Sequence, residues 1–155
     1  MKVLMVCLGN ICRSPLAEGV MRHLAAEKGL EVQVDSCGTA DYHVGDTPDP
    51  RAIKVAANHG IDISQHLGRQ FSAADFKQFD RIFAMDTQNY KDIIAMAPTR
   101  EDIDKVQLMM SAVYPKEKIN VPDPYYRDFD AFEEVYQMLH TACTLFLTKV
   151  PVNEG

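Results

Sequence analysis

The sequence predicts an α/β fold. The expectation is a single domain over residues 1–155, with a four-stranded parallel sheet, helices on both faces and a phosphate loop after the first strand. Three observations point that way. Short apolar runs recur at residues 2–8, 31–37, 81–85 and 106–110, and helical patterning separates each from the next. Strands alternating with helices imply parallel pairing and right-handed crossovers. A chain of 155 residues suits one domain, because at that length a single core buries about two-thirds of the surface that the unfolded chain exposes.

Taken in order, Lys2 to Leu8 is a buried strand that stops at Gly9. Ser14-Pro15 opens a helix, with Ser as the cap and Pro at the first helical position. Leu16, Val20, Met21 and Leu24 share its inner face, and Gly29 ends it. Glu31 to Cys37 alternates as a second strand, and Gly38 to Pro48 is a polar loop. A helix over Arg51 to His59 ends at Gly60, and a short one starts at Ser72. Arg81 to Met85 is the third strand, Thr87 to Ala97 a helix stopped by Pro98, and Val106 to Met110 the fourth strand. Pro115 to Pro124 is loop. Asp130 to Lys149 is a long amphipathic helix, with Asp130 and Glu133 spaced as a capping box.

Composition narrows the function. A net charge of −6 argues against nucleic acid as the main partner, since duplex binding needs a basic face. It leaves small anions open, because a local site can oppose the global sign. No apolar run is long enough for a membrane span, and the short apolar start, interrupted by Gly9, Asn10 and Arg13, does not read as a signal peptide. Four cysteines, Cys7, Cys12, Cys37 and Cys143, make no disulfide framework. Free thiols in a reducing cytoplasm are expected.

The chemistry is concentrated in Cys7-Leu8-Gly9-Asn10-Ile11-Cys12-Arg13-Ser14, a C-x-x-x-x-x-R-S spacing between a strand and a helix. In open parallel sheets, ligands bind beyond the carboxyl ends of the strands, where this loop falls. A loop that wraps into a helix N-terminus turns its backbone N–H groups inward and makes an anion site. Gly9 allows tight backbone geometry, and Asn10 tolerates positive φ better than other non-glycine residues. The planar fork of Arg13 matches two phosphate oxygens. Cys7 lies at the floor, where positive charge and the Ser14 hydroxyl favour a thiolate nucleophile. Leaving-group protonation needs an acid from another loop. Asp123, between Pro122 and Pro124 and followed by Tyr125 and Tyr126, is the candidate.

These motifs resemble the low-molecular-weight protein tyrosine phosphatases. The resemblance rests on Cys7 to Ser14 with Pro15-Leu16-Ala17-Glu18, and on Asp123-Pro124-Tyr125-Tyr126. It extends through Val34-Asp35-Ser36, Pro48-Asp49-Pro50-Arg51-Ala52, Gly60-Ile61, Phe79-Asp80 and Met85-Asp86. It implies Cys7 as nucleophile, Arg13 as phosphate binder, and Asp123 as first acid and then base. Tyr125 and Tyr126 would line the cleft, and Leu8, Gly9, Asn10, Ile11, Cys12 and Ser14 would complete the phosphate site. It further implies ping-pong hydrolysis of tyrosine-phosphorylated proteins with no metal and no organic cofactor, by a monomer with room for weak self-association. Some eukaryotic members carry tryptophan where Tyr42 stands, which assigns Tyr42 to the cleft rim. His66 and Arg69 would support the loop from behind. The larger tyrosine phosphatases place their acid loop before the cysteine loop, so the shared chemistry is convergent.

Other residues carry less. Cys12 reads as a core-filling residue, a metal ligand with Cys7, or a redox partner of Cys7. The spacing alone is nonspecific, and the resemblance favours a reversible Cys7–Cys12 disulfide. Asp86 is expected to cap a helix and Glu18 to be solvated, while His23, His43, His59 and His140 show no spacing signal. Three rivals remain. A protein-arginine phosphatase carries threonine where Ile11 stands and lacks the tyrosine pair. An arsenate reductase needs a cysteine relay, whereas Cys37 and Cys143 stand far apart. A phosphate-binding module would need neither Cys7 nor Asp123.

Overall fold

The computed structural model describes residues 1–151. Four strands, β1 (Lys2–Cys7), β2 (Gln33–Gly38), β3 (Arg81–Ala84) and β4 (Val106–Leu108), form one sheet in the order β2-β1-β3-β4. Every pairing is parallel. Alternation along β1 divides the core. Val3 and Met5 join Phe83 on one face, while Leu4 and Val6 join Ile82 and Ala84 on the other. Burial on both faces is why β1 reads as an unbroken apolar run. Helices α1 (Arg13–Glu27), α2 (Pro50–Asn58) and α6 (Phe129–Leu147) cover the first face. The short α3 (Asp75–Gln78) and α4 (Thr87–Ile94) cover the second through Phe76 and Ile93.

The chain leaves β1 toward β2 on one side and returns to β3 on the other. Strand order therefore reverses at β1, and a crevice opens at the carboxyl ends of β1 and β3. The loops after β1 and β3, and the segment that follows β4, converge there.

Several boundaries differ from the sequence expectation, each for a local reason. Helix α1 starts at Arg13, with Cys12 at the cap position and no side-chain cap, because the Ser14 hydroxyl is used elsewhere. Helix α6 starts at Phe129, and its cap is Asp128, which accepts from the Ala131 N–H, so Asp130 and Glu133 do not form a capping box. Helix α2 starts at Pro50 under an Asp49 cap. The short helix is regular only over Asp75–Gln78, with the Asp75 carboxylate accepting from the Ser72 N–H at 2.9 Å. Helix α4 ends at Ile94, short of Ala97. Strand β4 stops at Leu108, and Met109–Ala112 forms a 3₁₀ turn that carries Met109 and Met110 into the core. Helix α5 (Arg100–Asp104) was not anticipated. It is a single capped turn with no buried residue, so it has no apolar periodicity to read. Among the described residues no helix is long and apolar enough to cross a membrane.

Candidate active site

The β1–α1 loop wraps around the sulfur of Cys7, which is 3% exposed. The Ser14 Oγ lies 3.0 Å from Sγ, and the Asn10 N–H donates to Sγ at 3.3 Å. Asn10 has φ +58°, the only positive value at a non-glycine among the described residues. That strained backbone is held by a fully used side chain. Asn10 Nδ2 donates to Ser14 Oγ at 2.8 Å and to Ser36 Oγ at 3.0 Å. Its Oδ1 accepts from the Arg69 N–H at 3.1 Å and stands 2.9 Å from His66 Nε2. Because Asn10 donates into Ser14 Oγ, the Ser14 hydroxyl proton is directed to Sγ, or to the Cys37 carbonyl at 3.3 Å. The Asn10 N–H, and the Ser14 hydroxyl when its proton points to Sγ, stabilise negative charge on sulfur.

Arg13, the first residue of α1, is 3% exposed. Its Nη1 donates to Asp86 Oδ2 at 2.7 Å and to the Val121 carbonyl at 3.0 Å. Its Nη2 lies 3.8 Å from Asp123 Oδ2. One edge of the fork is thus fixed while Nη2 remains available to the cleft. Burial alone would lower the guanidinium pKa. The neighbouring Cys7, Asp86 and Asp123 outweigh it and raise it, so Arg13 is a permanent cation. Asp86 caps α4, accepting from the Asn89 N–H at 2.7 Å, and also anchors Arg13 with its other oxygen. Only the cap was expected from sequence.

The cleft over Cys7 is lined by Leu8, Gly9, Ile11, Cys12 and Arg13 from the loop. Asp123, Tyr125 and Tyr126 face them from the loop that precedes α6. Asp123 accepts from the Tyr125 N–H at 3.1 Å, which turns its carboxylate back along its own loop. The two tyrosine rings meet edge to face at 4.8 Å and form an aromatic wall. Asn10 and Ser14 do not line the cleft but brace it from behind. Tyr42 does not line it either; it is 73% exposed, and His43 takes the rim position. The His43 ring packs so close to Gly9 that a Cβ there would lie 3.1 Å from Cδ2, and Nδ1 lies 3.1 Å from Asp46 Oδ2. A lone histidine in a polar loop gave no signal for this. Gly38 at the end of β2 is needed for a similar reason, since a Cβ would meet the Leu8 carbonyl oxygen at 2.6 Å.

Glu18 is not solvated. It is 6% exposed, accepts from Ser36 Oγ at 2.7 Å, faces His66 Nδ1 at 3.4 Å and pairs with Arg22. A hydrogen-bonded chain therefore runs from Cys7 through Ser14, Asn10 and Ser36 to Glu18, with His66 beside it. Arg69, expected behind the loop, holds Asn10 through its backbone while its guanidinium binds Asp35 and Asp75. Helix periodicity could not reveal Glu18, because its partners come from β2 and a loop.

All four cysteines are buried and unpaired. Cys12 lines the cleft, and burial, followed by the charges of Asp49, Cys7 and Asp123, pushes its thiol pKa far up. Cys37 and Cys143 are not on the cleft, so the geometry supplies no cysteine relay. The one group of potential metal ligands among the described residues is Glu18, Asp35 and His66, and it excludes both Cys7 and Cys12. Each of the three is already hydrogen-bonded to protein.

Comparison with known proteins places the chain in a family. The sequence profile of the family described as low molecular weight phosphotyrosine protein phosphatase matches residues 2–154. A protein of that name from Schizosaccharomyces pombe is 43% identical over 152 residues, covering 96% of each chain. A protein tyrosine phosphatase from Entamoeba histolytica, crystallised with Hepes in its active site, is 38% identical with a TM-score of 0.90, covering 96% of each chain. An arginine phosphatase from Drosophila is 39% identical with a TM-score of 0.89, covering 96% of this chain and 97% of its own. With the profile spanning nearly every residue and the relatives matched end to end, the chain belongs to the low molecular weight phosphotyrosine protein phosphatase family.

Proposed function

We propose that residues 1–155 act as one phosphatase domain that hydrolyses phosphotyrosine in proteins through a phosphocysteine on Cys7. The observation that carries this reading is the convergence of a sulfur with two hydrogen-bond donors, a fixed arginine fork and a carboxyl group on one cleft. The phosphate enters with its oxygens toward Arg13 Nη2 and the loop N–H groups, which hold phosphorus in line with Sγ. Sγ attacks phosphorus, the bond from phosphorus to the phenolic oxygen breaks, and Asp123 gives its proton to the departing phenolate. A water then attacks the phosphocysteine and passes a proton to Asp123. The S–P bond breaks, and inorganic phosphate leaves with Cys7 restored. No step requires a metal or an organic cofactor.

Substrate choice follows from the walls. Ile11 and the Tyr125–Tyr126 pair offer an apolar slot that suits an aryl ester. Likeness to an arginine phosphatase of equal similarity means that overall fold does not select the leaving group, so Ile11 and the tyrosines carry that choice. Four free thiols support a reducing, cytoplasmic setting. The shared cleft of Cys7 and Cys12 supports a reversible disulfide between them on oxidation.

The test is hydrolysis of phosphotyrosine, phosphoserine and phosphoarginine peptides side by side, without added metal, by wild type and Cys7→Ser. Turnover of phosphotyrosine alone, abolished in the variant, is expected. Preference for phosphoarginine would keep the nucleophile but overturn the aryl assignment. No turnover of any peptide would leave a phosphate-binding module.

A further inference from the structure

The segment between Val121 and α6 carries Asp123 and has no helix or strand of its own. Something else must hold its carboxyl over Cys7. At one end the Val121 N–H donates to the Met85 carbonyl at 2.8 Å, and the Val121 carbonyl accepts from Arg13. At the other end stands Arg51, from the first turn of α2. Its Nη2 donates to the Tyr125 carbonyl at 2.9 Å, and its Nη1 donates to the Arg127 carbonyl at 3.0 Å.

Arg51 is itself fixed on three sides. Asp49 Oδ1 accepts from Nε at 3.0 Å, and Asp49 Oδ2 accepts from Nη2 at 2.9 Å. The guanidinium lies 4.6 Å from the ring centre of Phe132, a fully buried residue of α6. It lies 5.7 Å from the ring of Tyr125, so it also backs the aromatic wall. Asp49 in turn is tied to the phosphate loop, since its N–H donates to the Ile11 carbonyl at 2.8 Å. A continuous strap therefore runs from Ile11 through Asp49 and Arg51 to Tyr125 and Arg127. It joins the loop that holds phosphate to the loop that holds Asp123. A lysine could not replace it, because only a planar fork reaches a carboxylate and two carbonyls at once.

Removing the Arg51 side chain would cost folding chiefly at Asp49, whose nearly buried carboxylate would lose two donors. Tyr125 and Arg127 are exposed, so their carbonyls would find water if Arg51 were removed. The cap of α2 also survives, because Asp49 accepts from the Arg51 backbone N–H at 2.8 Å independently of the side chain.

We propose that Arg51 is a positioning residue for proton donation. Held by Asp49, it fixes the acid loop relative to the phosphate loop, so that Asp123 meets the leaving oxygen. The proposal rests on the reading of Asp123 as the acid. A misplacement of about 1 Å can cost on the order of 100-fold in rate. The loss should fall on substrates that most need a proton, because a good leaving group departs as an anion without one.

The experiment measures kcat/KM for aryl phosphates of graded leaving-group pKa in wild type, Asp123→Asn, Arg51→Ala, Arg51→Lys and the double variant Arg51→Ala/Asp123→Asn. Inhibition by inorganic phosphate is measured in each. Arg51→Ala should lose about 10- to 100-fold on phenyl phosphate and only about threefold on p-nitrophenyl phosphate. Phosphate inhibition should change by no more than about twofold, because Arg13 and its partners are untouched. Arg51→Lys should fall between wild type and Arg51→Ala, and the double variant should be no slower than Asp123→Asn, as expected for two residues acting in one step. Equal loss on all leaving groups, additive loss in the double variant, or weakened phosphate inhibition would overturn the strap while leaving Asp123 as acid. A series for Asp123→Asn with no leaving-group dependence would overturn the acid assignment itself, and the strap with it. If Arg51→Ala does not fold, Arg51→Lys carries the same comparison.

Discussion

At the residue scale, Asn10 bears more of the site than any other side chain outside the reacting groups. It holds a left-handed backbone, donates twice, accepts from the loop of residues 66–69 and is 1% exposed. Asn10→Ala would leave Ser14, Ser36 and the Arg69 N–H short of partners in a buried place, at about 1–3 kcal/mol for each group left unsatisfied. It would also remove a residue suited to positive φ. Urea unfolding should show a loss of about 2–4 kcal/mol, and kcat should fall along with stability as the Ser14 hydroxyl loses its direction. A variant with full stability and full activity would mean that the Asn10 network is ornamental.

At the element scale, α2 and α6 are tied across the first face by more than apolar packing. His59 stacks on Tyr136 with ring centres 3.7 Å apart, and its Nε2 meets the Glu133 carboxylate at 2.8 Å. Partial burial alone would raise the Glu133 pKa, but hydrogen bonds from His59 and Gln137 outweigh it and hold the carboxyl below its ordinary value of 4.5. A carboxyl whose folded value is depressed adds stability that is full above the unfolded value and is lost as pH falls through the folded one. Glu133→Gln should therefore destabilise at pH 7 by no more than about 1 kcal/mol, since the pair is partly exposed and screened. The two unfolding curves should converge on acidification to about pH 3. A gap that stays constant across that range would assign the effect to packing of α6 and not to charge. The same two helices frame the loop that carries Asp123, as α2 supplies Asp49 and Arg51 at its start and α6 supplies Phe132 beneath them.

At the scale of the whole molecule, the fold sorts four chemically identical thiols. Burial pushes up the pKa of Cys12, Cys37 and Cys143, with nearby carboxylates adding to the effect at Cys12 and Cys37. Cys7 alone has a sulfur at the floor of the cleft that accepts from a backbone N–H and lies within hydrogen-bond reach of a hydroxyl. Iodoacetate applied to the native protein near neutral pH should label Cys7 first, inorganic phosphate should protect it, and the other three should label only after unfolding. Peptide mass mapping reads this directly, and comparable native labelling of Cys12 would contradict the sorting. The cleft holds its cation within a chain of net charge −6. On the proposed reading, anion capture is a local property of Arg13 and the loop amides, not of the overall field.

The sequence by itself determined whatever is written in local pattern. Buried strands appear as apolar runs, glycines mark helix ends, and the spacing from Cys7 to Arg13 marks a strand–loop–helix junction of the kind that turns its N–H groups inward. That Asp123 belongs to the cleft was legible because two prolines and two tyrosines set it apart from ordinary surface carboxylates. The tertiary structure decided what depends on partners from distant segments. Glu18 looks like a solvated helix residue until β2 brings Ser36 to it, and Asp86 looks like a plain cap until Arg13 arrives 73 residues away in sequence. His43 replaced Tyr42 at the cleft because the two loops at 41–46 and 66–70 hold each other through Gly45 and Gly68, which fixes the side that faces Gly9. Arg51 lay in a recognised motif, but its grip on the Tyr125 and Arg127 carbonyls spans more than 70 positions. Periodicity reports which face of an element is buried. Only the packed chain determines which atoms meet there.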